Sequence, residues 1–314
     1  MLVFNKKQYF KIIILNLKKN IKDFILVLLE LGKIRITTAV SFTALLGDVL
    51  ANGNLSYKSI FVFFGTFLLS LGSSSINQIQ EYKFDAIMNR TKNRPIPTSK
   101  IDRTTAFYIS IILCSLGMYI LVEFVGLIPF IFGLITLILY NLIYTPMKRL
   151  SNFAVVPGAL VGVFPPFIGW TANGNDYLDP IIVTFGFFIF VWQIPHFWIL
   201  LLIYKDDYKL ADYPIVTDKL SVEQLKKVIF VWVISLCLTS LFFPYFIIDN
   251  LYYNKVILLI IIIILSIRLI FQNKILLTNT EVNPKYLFKS INVYVLLVLL
   301  IVVLEKVINN VLSR

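Results

Sequence analysis

Apolar residues run through this chain in stretches long enough to cross a bilayer. Nine such runs fall near 34–52, 58–76, 104–122, 126–145, 153–171, 179–203, 228–248, 254–273 and 289–308, separated by polar breaks. A span takes about 20 predominantly apolar residues, because backbone N–H and C=O groups find no water in hydrocarbon and must pair within a helix. The pattern predicts an all-α, polytopic membrane protein of nine helices. The first run is the least apolar, containing Asp48 and several threonines, and the sixth is interrupted by Gln193, Pro195 and His196. Ahead of them, MLVFNKKQYFKIIILNLKKNIKDF mixes lysines with apolar residues and lacks the uninterrupted apolar region and cleavage site of a signal peptide. From about Tyr9 to Leu31 it reads as a basic amphipathic helix along a membrane surface. The expected organisation is a surface segment, 1–32, followed by one membrane domain, 33–314.

Composition narrows the class further. Of 314 residues, 58% are hydrophobic and 15% charged, with a mean hydropathy of +0.84. Soluble domains carry about 25% charged residues, so soluble, disordered and fibrous classes are excluded. Cys114 and Cys237 both lie in apolar runs, which argues against a disulfide framework or thiolate metal site. The net charge is +12, and sorting it by loop shows where it goes. The side holding the N-terminus and the segments after spans two, four, six and eight carries 25 of the 29 Lys and Arg and 11 of the 17 acids. The positive-inside rule turns that side toward the cytoplasm. A bacterial inner membrane is expected, since no Ser/Arg-rich transit peptide is present. A chain so apolar is expected to meet anionic lipid rather than nucleic acid. The long inner loops, 77–103 and 205–227, hold most of the polar chemistry.

Two constellations lie on that face. In NQIQEYKFDAIMNRTKNRPIP, Asn77, Glu81 and Asp85 recur every four residues and share one face of a helix continuing out of span two. Acids at a membrane edge are costly unless paired, solvated or holding a cation. Arg90, Lys92 and Arg94 follow, then Pro95 and Pro97, which end any helix. Carboxylates beside cations suit an anion bridged by Mg²⁺, an ion that takes one or two carboxylates plus substrate phosphates. The same composition also fits an ordinary solvated loop. In the second constellation, Lys205, Asp206, Asp207 and Asp212 lie at the inner end of span six. They fit either opposing metal carboxylates or a mixed-charge cap. His196, the sole histidine, lies within that span beside Trp192, Phe197 and Trp198. A polar side chain there is either a satisfied core group or a ligand-binding one, and a neutral imidazole suits haem iron or a polarised substrate group.

With a third tract, YNLIYTPMKRLSNFAVVPGALVGVFPPFIGW from Tyr140 to Trp170, these segments resemble the UbiA superfamily of intramembrane prenyltransferases. The NRTKNRPIP run (89–97) and the PHFW…KDDY run (195–208) are similar to its haem-farnesylating branch. The likeness extends over most of the chain from about Leu31. It implies nine helices around a central cavity open to the cytoplasmic side. It also implies Mg²⁺-dependent transfer of the farnesyl group of farnesyl diphosphate to a vinyl group of haem B, with water added, haem being a substrate rather than a cofactor. On this resemblance Asn77, Glu81, Asp85, Asp206, Asp207, Tyr140 and Tyr144 carry catalysis, the tyrosines by stabilising an allylic cation through their ring faces. Glu81, Asp85, Asp206 and Asp207 would hold Mg²⁺, and Arg90, Lys92, Arg94, Lys148, Arg149, His196 and Lys205 would bind substrates. Two departures stand out: Glu81 occupies a position usually held by Asp, and Asp206 and Asp207 are adjacent rather than four apart. The implied partners are farnesyl diphosphate, haem B, membrane lipid and either the next enzyme of haem A synthesis or a terminal oxidase. A quinone precursor or chlorophyllide is the alternative acceptor. A secondary transporter is the alternative class, against which stand the absence of internal symmetry and the placement of the acids at one membrane edge.

Overall fold

The polar residues that weaken the first apolar run are the ones that bury it. Thr37, Ser41, Ala44, Gly47 and Asp48 fall three or four apart and are all buried on one face of the first membrane helix. The computed structural model describes residues 22–247, 252–278 and 283–312. Among these, nine helices are long and apolar enough to cross a membrane: α1 Ile34–Asn52, α2 Tyr57–Ile87, α3 Arg103–Val125, α4 Leu127–Met147, α5 Asn152–Thr171, α6 Pro180–Ile203, α7 Val222–Phe246, α8 Lys255–Leu277 and α9 Pro284–Val311. Each packs against the next in sequence. In addition α9 returns to both α1 and α6, and α1 crosses α5, so the bundle closes on itself.

That α1–α5 crossing is unusually close, and glycine is why. A Cβ on Gly47 would stand 2.0 Å from the Pro166 carbonyl oxygen, and one on Gly169 would stand 1.8 Å from that of Ala44. Small residues allow this approach where no hydrophobic force drives helices together in lipid. At the outer end, buried Asp48 accepts hydrogen bonds from Ser59, from Asn52 Nδ2 at 3.0 Å and from Asn173 Nδ2 at 2.8 Å. Lys58 caps the Ala172 carbonyl at 2.9 Å, and Asn310 of α9 donates to the Asn52 carbonyl at 3.1 Å. The carboxylate that weakened the span thus ties together the outer ends of α1, α2 and α5, and Asn310 adds α9 through the Asn52 carbonyl.

Departures from the hydropathy runs have local reasons. The second apolar run stops at 76, and the helix continues out of it as the 77/81/85 spacing predicts, to Ile87, with Ser73, Ser74, Ser75, Asn77 and Gln78 buried against neighbouring helices rather than facing lipid. A helix of 31 residues is about 46 Å long, more than the roughly 30 Å hydrocarbon core, so its inner turns project past the membrane. α7 begins at Val222 because Ser221 and Gln224 form a reciprocal capping box, with bonds of 3.2 and 2.8 Å. α4 contains a π-helical turn, Leu139–Tyr144, before its last α-helical residues Thr145–Met147, a local widening common at functional sites. The interrupted sixth span is nonetheless one helix, with Pro195 inside it.

The expected N-terminal surface helix is described only from residue 22, and 1–21 lie outside the described residues. Residues 22–31 form a helix with Phe24, Ile25 and Leu26 exposed, while Leu31 packs with Ile96, Ile101 and Ala106. Gln78 donates to the carbonyls of Glu30 and Leu31 at 2.9 and 2.8 Å, closing that helix against α2. Lys33 follows in the left-handed region (φ 53°) and begins α1.

Candidate active site

The inner turns of α2 carry Asn77, Glu81 and Asp85 on one face, as their spacing predicts, and all three are buried (0, 5 and 1% exposed). Burying ionised carboxylates beside a membrane is costly unless each is matched by a cation and hydrogen bonds. Each has such a partner. Asp85 takes Arg94 Nη1 on both oxygens at 2.7 Å. Glu81 pairs with Lys148 and accepts from the Tyr213 hydroxyl at 3.2 Å. Asn77 accepts from Lys33 Nζ at 2.5 Å and donates to Thr145 Oγ1 at 2.9 Å. The partners come from four segments: the turn before α1, the 88–102 loop, the end of α4, and the loop after α6. Only the folded bundle brings them together.

The π turn of α4 sets the adjoining wall. Tyr140 and Tyr144 stack with centroids 5.8 Å apart, Lys148 Nζ lies 5.0 Å from the Tyr144 ring centre, and Lys33 Nζ reaches the Tyr140 hydroxyl at 3.4 Å. Arg149 donates to the Gln80 carbonyl and lies 4.7 Å over Phe84. Arg90 stands 4.5 Å over Tyr204. A small cavity of about 80 Å³ opens here, lined by Tyr144, Lys148, Phe197, Trp198, Tyr208 and Tyr213 among others. Of the ion pairs at Glu81 and Asp85, only the Lys148 end lines it.

Electrostatics divides the cations. Burial, reinforced by Arg94, pulls the Lys33 ammonium down to about 7. Burial also acts against the Lys148 charge, but Glu81 outweighs it and holds the ammonium above the usual lysine value. Burial and Glu81 together raise the Tyr213 phenol, keeping it a hydrogen-bond donor.

The second constellation is split. Asp206 and Asp207 begin a short helix, Lys205–Leu210, where neighbours point about 100° apart. Asp207 is buried and its two oxygens accept the backbone N–H groups of Asn89 and Arg90, both at 3.0 Å. Asp206 is exposed, so the pair expected from sequence does not act as one unit. Asp212 is also exposed, and Lys92 turns away to bond Asn89 at 2.9 Å. Lys205 is half-buried at the start of the same helix. His196 lies deeper, between Trp192 and Phe288, with ring centroids 4.9 and 4.7 Å away.

Sequence reasoning missed Lys33, Tyr213, Thr145 and Asn292. Lys33 was hidden among topology-setting lysines, and its one local signal is its place directly before an apolar run.

Among the described residues no group of three or more His, Cys, Asp or Glu stands ready for a metal. The donors nonetheless suit Mg²⁺. Glu81 and Asp85 offer hard oxygens one turn apart, and each oxygen of Asp207 has used only one acceptor position. Arg94 and Lys148 supply the positive charge such an ion would bring.

The sequence profile of the UbiA prenyltransferase family matches residues 40–303. The chain belongs to this family. Relatives named protoheme IX farnesyltransferase include one from Leptospira biflexa, 35% identical over 71% of this chain and 79% of its own. Another, from Nitratidesulfovibrio vulgaris, is 32% identical over 68% of this chain and 74% of its own. The fold is similar to a solved digeranylgeranylglyceryl phosphate synthase, with TM-score 0.70, 19% identity, and 91% of this chain and 98% of that one covered. It is also similar to a UbiA homolog from Archaeoglobus fulgidus bound to GPP and Mg²⁺, with TM-score 0.67, 14% identity, and 90% and 99% covered.

The Asp207 contacts yield a prediction that needs no substrate. Asp207→Ala removes both acceptors from the 89–90 turn. Amide exchange of a peptide covering 88–94 is expected to rise about 10- to 100-fold in the substrate-free protein. Unchanged protection there means Asp207 does not hold the turn.

Proposed function

We propose that this enzyme transfers the farnesyl group of farnesyl diphosphate to a vinyl group of haem B to give haem O. The observation that carries the reading is the buried ladder Asn77–Glu81–Asp85, matched cation for carboxylate at one end of the bundle. The name borne by relatives at 30–36% identity supports the acceptor. In the reaction the C–O bond of the diphosphate ester breaks, farnesyl carbon bonds to the vinyl group, water adds to the adjoining carbon, and diphosphate and a proton leave. The excess of Lys and Arg on that side of the chain supports a site facing the cytoplasm, in a bacterial inner membrane.

Each chain residue has a task. Lys33, Arg90, Arg94, Lys148 and Arg149 receive the diphosphate and stabilise the charge that builds on it as it leaves, preorganised donors that usually supply the largest catalytic effect. Glu81, Asp85 and Asp207 would hold Mg²⁺, which when bound adds Lewis-acid neutralisation of the same oxygens. The face of Tyr144, already turned toward a cation in Lys148, and the Tyr140 ring stacked beside it stabilise the allylic cation. Surrounding apolar side chains keep water from trapping it early.

His196 is prepared for an iron ligand by Asn292 of α9. Asn292 Nδ2 donates to the Phe288 carbonyl at 2.7 Å, which fixes the amide so that Oδ1 faces Trp192 Nε1 (3.1 Å) and His196 Nδ1 (3.0 Å). Nδ1 therefore carries the proton and Nε2 keeps its lone pair. A ring nitrogen anchored on a carbonyl is the usual support of a metal-ligating histidine.

Three outcomes test these roles. Asp85→Asn, assayed with haem B, farnesyl diphosphate and Mg²⁺ and read by product mass, is expected to lose at least about 100-fold in turnover while the protein still inserts and purifies normally. Near-normal haem O formation, or equal transfer to a quinone precursor by the unmodified protein, overturns the reading. Lys33 is charged below about 7 and neutral above it, and an adjacent diphosphate favours the charged form. KM for farnesyl diphosphate should thus rise as pH climbs from about 7 to 9, by up to about tenfold per unit, and Lys33→Met should flatten that slope. Asn292→Leu should weaken haem binding about 10- to 100-fold and shift the haem spectrum toward that of His196→Ala, leaving KM for the diphosphate unchanged. A spectrum identical to the unmodified protein's returns both residues to plain packing.

A further inference from the structure

Away from the site, α8 and α9 enclose a groove of about 240 Å³ on the outside of the bundle. Two cross-links set their register: Asn273 Nδ2 to Ser290 Oγ at 3.1 Å, and Ser266 Oγ with the Tyr294 hydroxyl at 2.8 Å. Leu265, Val293 and Leu297 line the groove, and so do Arg268, Lys289 and Tyr286. Arg268 is nine residues inside the end of α8 and Lys289 five inside the start of α9, both within spans and both exposed. No carboxylate pairs with either among the described residues.

Cations on the lipid-facing side of a span are costly unless their long side chains reach the phosphates at the interface. Lys289 is close to the inner start of α9, and Arg268, farther inside α8, lines the same groove, so the interface they would reach is the inner one. Two cations beside an apolar trough match one lipid: a net-negative head group above, an acyl chain below. A zwitterionic head group suits the pair less well, since its own ammonium would meet two more positive charges.

We propose that the α8–α9 groove is a binding site for an acidic phospholipid of the inner leaflet, its phosphate on Arg268 and Lys289 and an acyl chain along Leu265, Val293 and Leu297. This holds whatever the acceptor of the prenyl group, because none of these residues belongs to the site.

The test is native mass spectrometry of the full chain in detergent, offered phosphatidylglycerol or phosphatidylcholine with identical acyl chains. The unmodified protein should retain the acidic lipid at least about tenfold more strongly. Arg268→Gln/Lys289→Gln should bring the two lipids to parity, while Lys83→Gln/Lys209→Gln, which removes two exposed inner charges elsewhere, keeps the preference. Val293→Trp, which fills the groove and leaves both charges, should lose retention as well, and stands in should the double variant fail to fold. Added inorganic phosphate should not displace the lipid, as it would from a bare anion site. Equal retention of the two lipids by the unmodified protein, or an undiminished preference in Arg268→Gln/Lys289→Gln or Val293→Trp, overturns the proposal.

Discussion

A carboxylate buried at the edge of a bilayer must be neutralised where it stands, and in this chain that requirement organises the whole inner end. Glu81 and Asp85 lie on a single helix, yet the cations that match them arrive from the 88–102 loop and the end of α4. Breaking such a pair by removing one partner leaves an uncompensated charge and costs about 3–5 kcal/mol. The loops are therefore held by the acids as firmly as the acids are held by the loops. A substrate that brings its own charge can take over the cations without leaving the carboxylates bare, provided a second cation replaces them.

The two ends of the bundle solve the buried-acid problem differently. At the outer end Asp48 is met by amides and a hydroxyl from Asn52, Asn173 and Ser59, neutral groups that give hydrogen bonds but no exchangeable charge. At the inner end the partners are the charged groups of Arg94 on the 88–102 loop and Lys148 at the end of α4. A neutral network resists any ligand, whereas an ionic one invites an anion to compete for it. The close glycine crossing of α1 and α5 reinforces the distinction by fixing the helices that carry Asp48.

Much of this was legible in the residues. Nine spans follow from hydropathy because hydrocarbon leaves the backbone no other choice, and the ladder of Asn77, Glu81 and Asp85 follows from helical period alone. The partners were harder, since pairing depends on which loops meet. Arg94 and Lys148 stood out by motif, whereas Lys33 and Tyr213 carry no local mark and acquire their roles from 44- and 132-residue separations to Asn77 and Glu81. Asp206 and Asp207 look alike in sequence, and only the helical turn beginning at Lys205 buries one and exposes the other. Asn292 was invisible for the same reason: its value to His196 lies in an amide oriented by Phe288, 96 residues away along the chain from the ring it holds.

Counting charge at the inner site explains why the carboxylates and cations need not balance. Lys33, Arg90, Arg94, Lys148 and Arg149 surround three buried or nearly buried acids, Glu81, Asp85 and Asp207. An excess of positive charge would be a liability in a permanently closed core, and burial already weakens one member of the set, Lys33. On the proposed function it would become favourable with a prenyl diphosphate and a divalent ion bound, since that complex is itself net negative. The acids would then hold the ion, the surplus cations would hold the diphosphate, and Lys33 would regain the proton that burial discourages. A site built for a neutral ligand would have had no use for that surplus.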